Sequence, residues 1–536
     1  MSRAIDLVIC GGGVGGCAAA LAACRAGLRV VLTEESPWIG GQLTSQAVPP
    51  DEHGWIERFG CTASYRRFRD GIRRYYRDHY PLTDAARAHS ALNPGNGWVS
   101  PLCHEPRVAL AVVEAMLAPH AASGRLSILR RHRPVAANAA GNRVRSVTVR
   151  SLETAKETTL DAPWFIDATE LGDLLPLTGT EFVTGSEARS ETGEPSAGAT
   201  ARPANTQAFS VCFVMEHRAG ENHLIPRPER YSFWRDYVPR LTPAWPGRLL
   251  SWEVPHPRTM EKLRYRFDPT GEDGKAFSGL WTYRRIVDRA NFTPGFFPGD
   301  VCLVNWPLID YLEGDLCTAD MAERTRLIAE ARQMSLCVFH WLQTEAPRPD
   351  GGAGWPGLRL RPDLLGSTDG LAQAPYIRES RRIRALYTVT ETDVSAEHRP
   401  GQTLGERYPD SAGIGYYRID LHPSVGGDNY IDVPALPFEI PLRALVPRRM
   451  ENLLAGAKNL GVTHITNGCY RLHPVEWNIG EAAGALTAWC HERKTLPAEA
   501  AQRPKAFQDT LRKTGFELHW PDGLRLEDGD PHIHAR

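Results

Sequence analysis

A run of glycines near the amino terminus has the spacing that a backbone needs to wrap around a diphosphate. Residues 11–16 read Gly-Gly-Gly-Val-Gly-Gly and match the pattern glycine-x-glycine-x-x-glycine. In this pattern the first glycine permits a tight turn, the second lets the backbone approach the pyrophosphate, and the third lets helix and strand pack closely. The sequence therefore predicts nucleotide contacts from Gly11, Gly13, Val14, Gly15 and Gly16.

An acidic residue follows these glycines at the distance expected of a ribose ligand. Glu34 lies eighteen residues beyond Gly16, close to the ~20-residue offset of the carboxylate that accepts hydrogen bonds from an adenosine ribose. Glu35 is the alternative. We predict a ribose-binding carboxylate here, in preference to the simpler interpretation of a surface acid at a strand end.

Hydrophobic patterning predicts the elements that must position these groups. Apolar residues 5–9 predict a strand, residues 17–26 a helix that Gly27 ends, and residues 28–33 a second strand. Together they form one βαβ unit, whose helix start offers free N–H groups and a positive dipole end to a phosphate. A second glycine match at 352–357 lacks a preceding strand and contains Pro356, so we predict no separate NAD(P) domain.

Weaker patterns predict further elements along the chain. Residues 65–80 predict an amphipathic helix with an arginine-rich face, which is more simply a solvated face than a nucleic-acid surface. A second helix is predicted from about residue 105 through 116. Residues 126–129, 144–149 and 158–160 predict a small sheet between the two halves of a nucleotide domain. A late strand at 453–455 and a helix at 479–489 follow.

Four short segments carry a family resemblance. They are Gly-Gly-Gln at 40–42, Trp-Phe-Ile-Asp-Ala-Thr at 164–169, Asn-Leu-Leu-Ala-Gly-Ala at 452–457 and Gly-Glu-Ala-Ala-Gly at 480–484. Together the sequence resembles the FAD-dependent oxidoreductase family of the glutathione-reductase-like, two-dinucleotide-fold flavoproteins. Arg-Glu-Ser-Arg-Arg at 378–382 is similar to a segment of that family. Glu170 departs from it, because it replaces the glycine that usually follows Asp-Ala-Thr and gives the backbone conformational freedom.

The resemblance implies the cofactor, the fold and the division of the chain. The cofactor would be FAD, and the fold α/β: a Rossmann-like FAD-binding domain with an inserted, loop-rich α+β substrate domain. The FAD domain would comprise residues 1–180 and 441–495, the substrate domain 181–440, and a tail 496–536. Further FAD contacts would come from Gly40, Gly41, Gln42, Ala168, Thr169, Gly456, Asn459 and Gly480, with the helix start at 479–480 directed at the flavin.

Candidate proton-transfer groups lie between the late strand and this helix. They are His464, Tyr470, His473 and Glu476. Histidine titrates near neutrality and suits general-base catalysis. We predict that His464 serves substrate oxidation, with His473 as the alternative, although either side chain could instead be a structural hydrogen-bonding group.

Composition narrows the functional classes. Lys plus Arg (62) and Asp plus Glu (63) give a net charge of -1, so no global field attracts nucleic acid or an anionic membrane. The eleven cysteines lack metal-type spacing, and no secretory signal or membrane-spanning segment is evident. We expect a cytoplasmic protein with a small-molecule substrate and without a metal, a membrane or a nucleic-acid partner.

Three functional hypotheses remain at this point. The favoured one is a flavin dehydrogenase or oxidase that takes hydride from an alcohol, sugar or amine and passes electrons to oxygen or another acceptor. A flavin monooxygenase or halogenase is the second, because Gly172-Asp173 resembles a hydroxylase motif. A non-catalytic flavin sensor or RNA-modification scaffold is the third.

Overall fold

The computed structural model describes residues 4–271 and 277–529. Its principal strands, in chain order, are β1 (Leu7–Cys10), β2 (Val30–Glu34), β3 (Leu126–Arg130), β4 (His132–Ala140), β5 (Arg143–Ser151), β6 (Glu157–Asp161), β7 (Trp164–Asp167), β8 (Phe213–His217), β9 (Arg285–Val287), β10 (Val301–Val304), β11 (Leu358–Leu360) and β12 (Leu453–Ala455). Its principal helices are α1 (Val14–Arg25), α2 (Ala63–His79), α3 (Pro106–Ala122), α4 (Met321–Thr344), α5 (His464–Tyr470), α6 (His473–Arg493), α7 (Pro497–Gln502) and α8 (Lys505–Lys513).

Shorter elements connect these. The short strands are Phe182–Val183, Phe209–Ser210, Glu253–Pro255, Lys262–Arg264, Asp310–Tyr311, Arg382–Ile383, Ser411–Gly415, Ile419–Leu421, Ile431–Val433 and Phe438–Pro441. The short helices are Asp84–Ala88, Leu174–Thr178, Arg189–Thr192, Tyr231–Asp236, Leu280–Tyr283, Pro362–Leu365, Glu391–Val394 and Leu526–Gly529.

A five-stranded parallel sheet in the order β12-β7-β1-β2-β3 organises the nucleotide-binding half. The central strand β1 pairs with β2 on one side and β7 on the other, and its four residues are fully buried, as expected of a strand covered on both faces. The late strand β12 joins this sheet beside β7. The predicted α/β, Rossmann-like fold class is therefore confirmed, as are the βαβ unit and the strand at 453–455.

Two helices from opposite ends of the sequence touch backbone to backbone behind the sheet. A Cβ atom added to Gly480 of α6 would lie 2.0 Å from the carbonyl oxygen of Gly15 in α1, and one added to Gly484 would lie 2.2 Å from that of Ala19. Only glycine fits at such contacts. They hold α1 and α6 in register under the sheet.

Two predictions about these elements are wrong. Residues 126–129 do not belong to the small sheet, because β3 pairs in parallel with β2, and the small antiparallel sheet is β4-β5-β6. Helix α6 starts at His473, six residues before the predicted start, because Pro474 is tolerated in a first helical turn. The tail after residue 496, for which the sequence predicted no elements, forms α7 and α8, and Trp520 packs against Trp55.

The middle of the chain builds a different layer. Its largest sheet is four-stranded and antiparallel in the order β9-β10-β8-β11, and Phe339 of α4 packs against Phe213 of β8. Long irregular segments connect these elements. None of the helices in the two described ranges combines the length and apolar character needed to cross a bilayer.

Candidate cofactor and substrate site

A cleft opens where the turns after β1 and β7 meet the end of β2. It encloses about 1020 Å³ of empty space, including solvent at its mouth. Seven of the predicted cofactor contacts line it: Gly11, Gly13, Glu34, Glu35, Gly41, Ala168 and Thr169. The middle of the chain supplies the opposite wall, which includes Pro375 and Ile377. The carboxyl edge of a parallel sheet is where such folds bind their ligands.

The glycine turn combines tight packing with an open helix start. A Cβ atom on Gly11, whose φ is +99°, would lie 2.1 Å from the carbonyl oxygen of Ala168, and one on Gly16 would lie 1.9 Å from that of Gly11. A Cβ atom on Gly15 would likewise lie 2.0 Å from the carbonyl oxygen of Gly456. Gly13 begins α1 without a capping side chain. The cap residue therefore supplies no acceptor for the first N–H groups of the helix, and a side-chain acceptor there is Glu476, which bonds to the backbone of Gly15; a helix start of this kind suits phosphate binding.

Glu34 is anchored against this turn. Its Oε2 atom accepts the N–H of Gly12 at 2.9 Å, and its Oε1 atom accepts the N–H of Ser36 at 2.8 Å. Burial raises the pKa of Glu34 to about 7. Glu35 instead points outward, with its side chain 54% exposed and 3.7 Å from Arg133. The geometry therefore favours Glu34 over Glu35 as the ribose ligand.

Glu170, the departure from the family pattern, occupies the space in front of Gly13. Its Oε1 atom lies 2.9 Å from a Cβ atom built on Gly13 and 3.0 Å from one built on Gly41. Its Oε2 atom pairs with the ammonium of Lys458, which is completely buried and also lies 3.5 Å from Glu476. Burial favours the neutral form of Lys458, but these two carboxylates outweigh it and hold its pKa above the ordinary value. A diphosphate at Gly13 must displace the Glu170 carboxylate.

Lys458 was missed by sequence reasoning. A buried lysine beside a glycine turn is a natural counter-ion for a phosphate. The signal that could have revealed it is Glu170, since an acid in place of a cleft-lining glycine needs a cationic partner.

Gln42 connects the glycine turn at residues 40–42 to the segment at 471–476. It lies in a 3₁₀ turn, Gly41–Leu43, that starts at Gly40, whose φ is +100°. Its amide nitrogen donates to Glu476 at 2.9 Å and to the carbonyl of Arg471 at 3.1 Å. Its Oε1 atom is buried without a partner. Val14, the first residue of α1, is buried in the core.

The remaining predicted contacts support the cleft and do not line it. The N–H of Gly456 and the amide of Asn459 both donate to the carbonyl of Asp167, at 2.8 and 3.0 Å. Gly480 lies two turns inside α6, against Gly15. The helix terminus near the cleft is therefore His473, which corrects the expectation for residues 479–480.

His464 forms a pair with a carboxylate. Its Nδ1 atom lies 3.0 Å from both oxygens of Glu379, while its Nε2 atom is buried without a partner. Burial tends to raise the pKa of Glu379, but His464 and Arg382 lower it to about 2. An ionised Glu379 places a ring hydrogen on Nδ1, which leaves Nε2 as the atom that could exchange a proton with a substrate.

His473 has the opposite tautomer. Its Nδ1 atom accepts the N–H of Asp51 at 3.1 Å, so the hydrogen is on Nε2, which is buried and unpartnered. Burial lowers the pKa of His473 to about 3. At neutral pH this imidazole is a hydrogen-bond donor and not a base. Of the other two candidates, Tyr470 donates to the Glu439 carbonyl at 2.7 Å, and Glu476 pairs with Lys458.

A second histidine–carboxylate pair was also missed. His422 Nδ1 lies 2.5 Å from Asp310, which also accepts the hydroxyl of Ser210 at 2.7 Å and lies 3.1 Å from Arg378. The signal was the segment at 378–382, because Arg378 supports this pair and Glu379 supports His464. Within the described residues, no group of three or more His, Cys, Asp or Glu side chains could hold a metal ion.

These residues fit a dinucleotide cofactor. The glycine cradle leaves no room for a side chain at Gly11, the cap residue of α1 has no side chain, and Glu34 lines the cleft. Several buried polar atoms behind the cleft have no protein partner, including Gln42 Oε1, Gln46 Oε1 and His473 Nε2. Unpaired buried polar groups are costly unless a ligand satisfies them.

Comparison with known proteins agrees with this assignment. A family model described as FAD dependent oxidoreductase matches residues 6–511. No curated protein matches the sequence significantly.

Solved structures resemble the chain distantly. The p-nitrophenol 4-monooxygenase PnpA from Pseudomonas putida DLL-E4 shares 14% identity over 72% of this chain and 70% of its own, with a TM-score of 0.29. The flavin-dependent monooxygenase PieE, solved with FAD and substrate, shares 16% identity over 40% of this chain and 36% of its own, with a TM-score of 0.23. The glycerol-3-phosphate dehydrogenase from Bacillus halodurans, complexed with FAD, shares 12% over 40% of each chain, with a TM-score of 0.22. The chain thus spans well under two thirds of the length of the last two.

Proposed function

Because the chain belongs to the FAD-dependent oxidoreductase family, we propose that it oxidises a small organic substrate, an alcohol, sugar or amine, by hydride transfer to FAD. The observation that carries the proposal is the His464–Glu379 pair, a buried base whose Nε2 atom has no protein partner. We further propose the glutathione-reductase-like architecture, because segments from both ends of the sequence, β1 and β12, build one nucleotide-binding sheet.

The residues that hold the cofactor follow from the cleft. Glu34 accepts the hydroxyls of the adenosine ribose, and the glycine turn with the start of α1 receives the diphosphate. Lys458 neutralises the diphosphate once Glu170 has turned away. FAD, when bound, supplies the acceptor for a substrate hydride.

The protein's own residues contribute to the reaction by accepting and stabilising a proton. As a substrate C–H bond is oxidised, the adjacent O–H or N–H group must lose its proton, and His464 Nε2 accepts it. Glu379 stabilises the resulting imidazolium, since it remains ionised over the whole physiological range. His473 Nε2, which has no partner within the protein, is available to donate a hydrogen bond to a carbonyl oxygen of the bound cofactor or substrate.

Anaerobic substrate screening tests the proposal. The FAD-loaded protein is mixed with sugars, polyols, amines and hydroxy acids, and bleaching of the flavin absorbance is followed. Bleaching by a substrate without added NAD(P)H is the expected result, and readmission of oxygen then separates an oxidase from a dehydrogenase. Bleaching that occurs only with NAD(P)H, followed by oxygen insertion into an aromatic substrate, would instead establish the monooxygenase alternative.

A further inference from the structure

Arg471 is a buried cation without a close counter-ion. Its side chain is 4% exposed, and its nearest carboxylate oxygen, on Asp420, lies 3.9 Å away. One of its Nη atoms donates to the backbone carbonyl of Asp420 at 3.0 Å, and the other makes only a long contact of 3.4 Å with the hydroxyl of Tyr376. Its Nε atom has no partner. Burying a charge in this way is costly unless something compensates it.

Two other buried arginines in this part of the molecule each have a carboxylate at a shorter distance. Arg284 bonds to Asp51 at 2.9 Å, and Arg378 lies 3.1 Å from Asp310. Both side chains are also buried. Their Nε atoms lack a partner, as that of Arg471 does, so what distinguishes Arg471 is the longer distance to its nearest carboxylate oxygen.

Arg471 lies directly behind the cleft. Its backbone carbonyl accepts the amide of Gln42, and its partner Tyr376 stands between Pro375 and Ile377, which line the cleft wall. His473, with an unpartnered Nε2 donor, follows two residues later. Arg471 and His473 thus each keep a buried donor atom without a protein partner.

We propose that Arg471 and Tyr376 bind a carboxylate group of the substrate. A carboxylate can accept from the guanidinium through two parallel hydrogen bonds, using the free Nε edge, and from the hydroxyl of Tyr376. Burial raises the pKa of Tyr376, so this hydroxyl stays protonated and able to donate. The substrate class is therefore a small organic acid that also carries the oxidisable alcohol or amine.

The position of the side-chain partners favours the substrate over the cofactor as the ligand. Tyr376 and Asp420 both belong to the middle of the chain, the predicted substrate domain, whereas Gly11, Gly13 and Glu34 belong to the sheet that forms the nucleotide side of the cleft. The inference rests on the proposed function, since it names the substrate class for the same cleft.

Carboxylate binding to the FAD-loaded protein is the test. Acetate, lactate and benzoate are titrated against their matched amides, and binding is followed by changes in flavin absorbance and in the thermal midpoint. We expect at least one carboxylate to bind saturably and more tightly than its amide. Arg471→Met should weaken this binding about 10- to 100-fold, Tyr376→Phe less, and Arg443→Met, a matched change at a partly exposed arginine paired with Asp410, not at all.

Several outcomes would overturn the proposal. They are carboxylates that bind no better than amides, unchanged carboxylate affinity in Arg471→Met, or loss of FAD from that variant, which would make Arg471 a cofactor ligand. If Arg471→Met does not fold, Arg471→Lys is the variant to test, because lysine keeps the charge but cannot make paired hydrogen bonds. Unchanged carboxylate affinity in Arg471→Lys would refute the site. Flavin bleaching by neutral substrates alone would refute the carboxylate site and leave the proposed oxidation standing.

Discussion

Glu170 and Lys458 form an ion pair in front of the glycine turn, and the acidic member occupies the space in which we propose that the diphosphate binds. Lys458 is completely buried, whereas the Glu170 side chain is 24% exposed. The carboxylate is thus the movable partner. When it turns toward solvent, the ammonium of Lys458 becomes available to the cofactor.

Replacing Glu170 should therefore strengthen FAD binding. In Glu170→Ala the diphosphate no longer competes with a carboxylate. We expect the FAD dissociation constant to fall on the order of tenfold, because a larger fraction of the protein is then in a state that can bind FAD. Fluorescence titration of the apoprotein with FAD measures this, with Glu451→Ala, a change in a surface pair with Arg143, as control. Weaker binding in Glu170→Ala would show that this residue supports the cofactor.

Gly13→Ala should lose FAD and keep its fold. The only close neighbour of the new methyl group is the flexible end of Glu170, so the apoprotein can accommodate it, but the methyl group occupies space reserved for the diphosphate. Gly11→Ala, by contrast, should misfold, because its methyl group meets the Ala168 backbone at 2.1 Å. Released flavin and circular dichroism distinguish the two, and Gly198→Ala, at an open position, is the control. Full FAD occupancy in Gly13→Ala would mean that the diphosphate binds elsewhere.

FAD affinity should decline in mildly acidic solution. The pKa of Glu34 is raised to about 7, and only the ionised form accepts both ribose hydroxyls, so binding must expel a proton below that pH. The dissociation constant should be level above pH 7 and rise by up to about tenfold per pH unit below it. Glu34→Gln should bind more weakly at pH 8 and show a flatter profile between pH 5.5 and 8. An identical pH profile in the variant would assign the dependence to another carboxylate, such as Glu476.

His464→Ala should slow flavin reduction while FAD content stays normal. A general base contributes about 10²–10⁴-fold, and rapid anaerobic mixing with a substrate from the screen measures the loss. Glu379→Gln, which changes a positioning residue, should lower the rate less and also displace the acid limb of the rate–pH profile. His223→Ala, on the surface beside Glu221, is the control. Wild-type reduction by His464→Ala would transfer the role to His422, whose pairing with Asp310 is similar.

The sequence predicted local features well and distant pairings poorly. The glycine turn, Glu34 and the strand at 453–455 are encoded in short runs of residues. The start of helix α6 was predicted too far along the sequence because the helix is buried on nearly every face and therefore has no amphipathic pattern. The pairing of β3 with β2 and the pairing of Lys458 with Glu170 depend on contacts between distant parts of the sequence. Lys458 and Glu170 are 288 residues apart.

The contact between α1 and α6 also constrains the order in which the protein can mature. During synthesis the glycine turn emerges first, but β12 and α6, which complete its sheet and press on Gly15, emerge more than 400 residues later. A nascent chain that ends before residue 453 has only an open half-site. Cofactor capture is therefore expected only after β12 and α6 have been made, and until β12 pairs with it, the edge of β7 is left without its neighbouring strand.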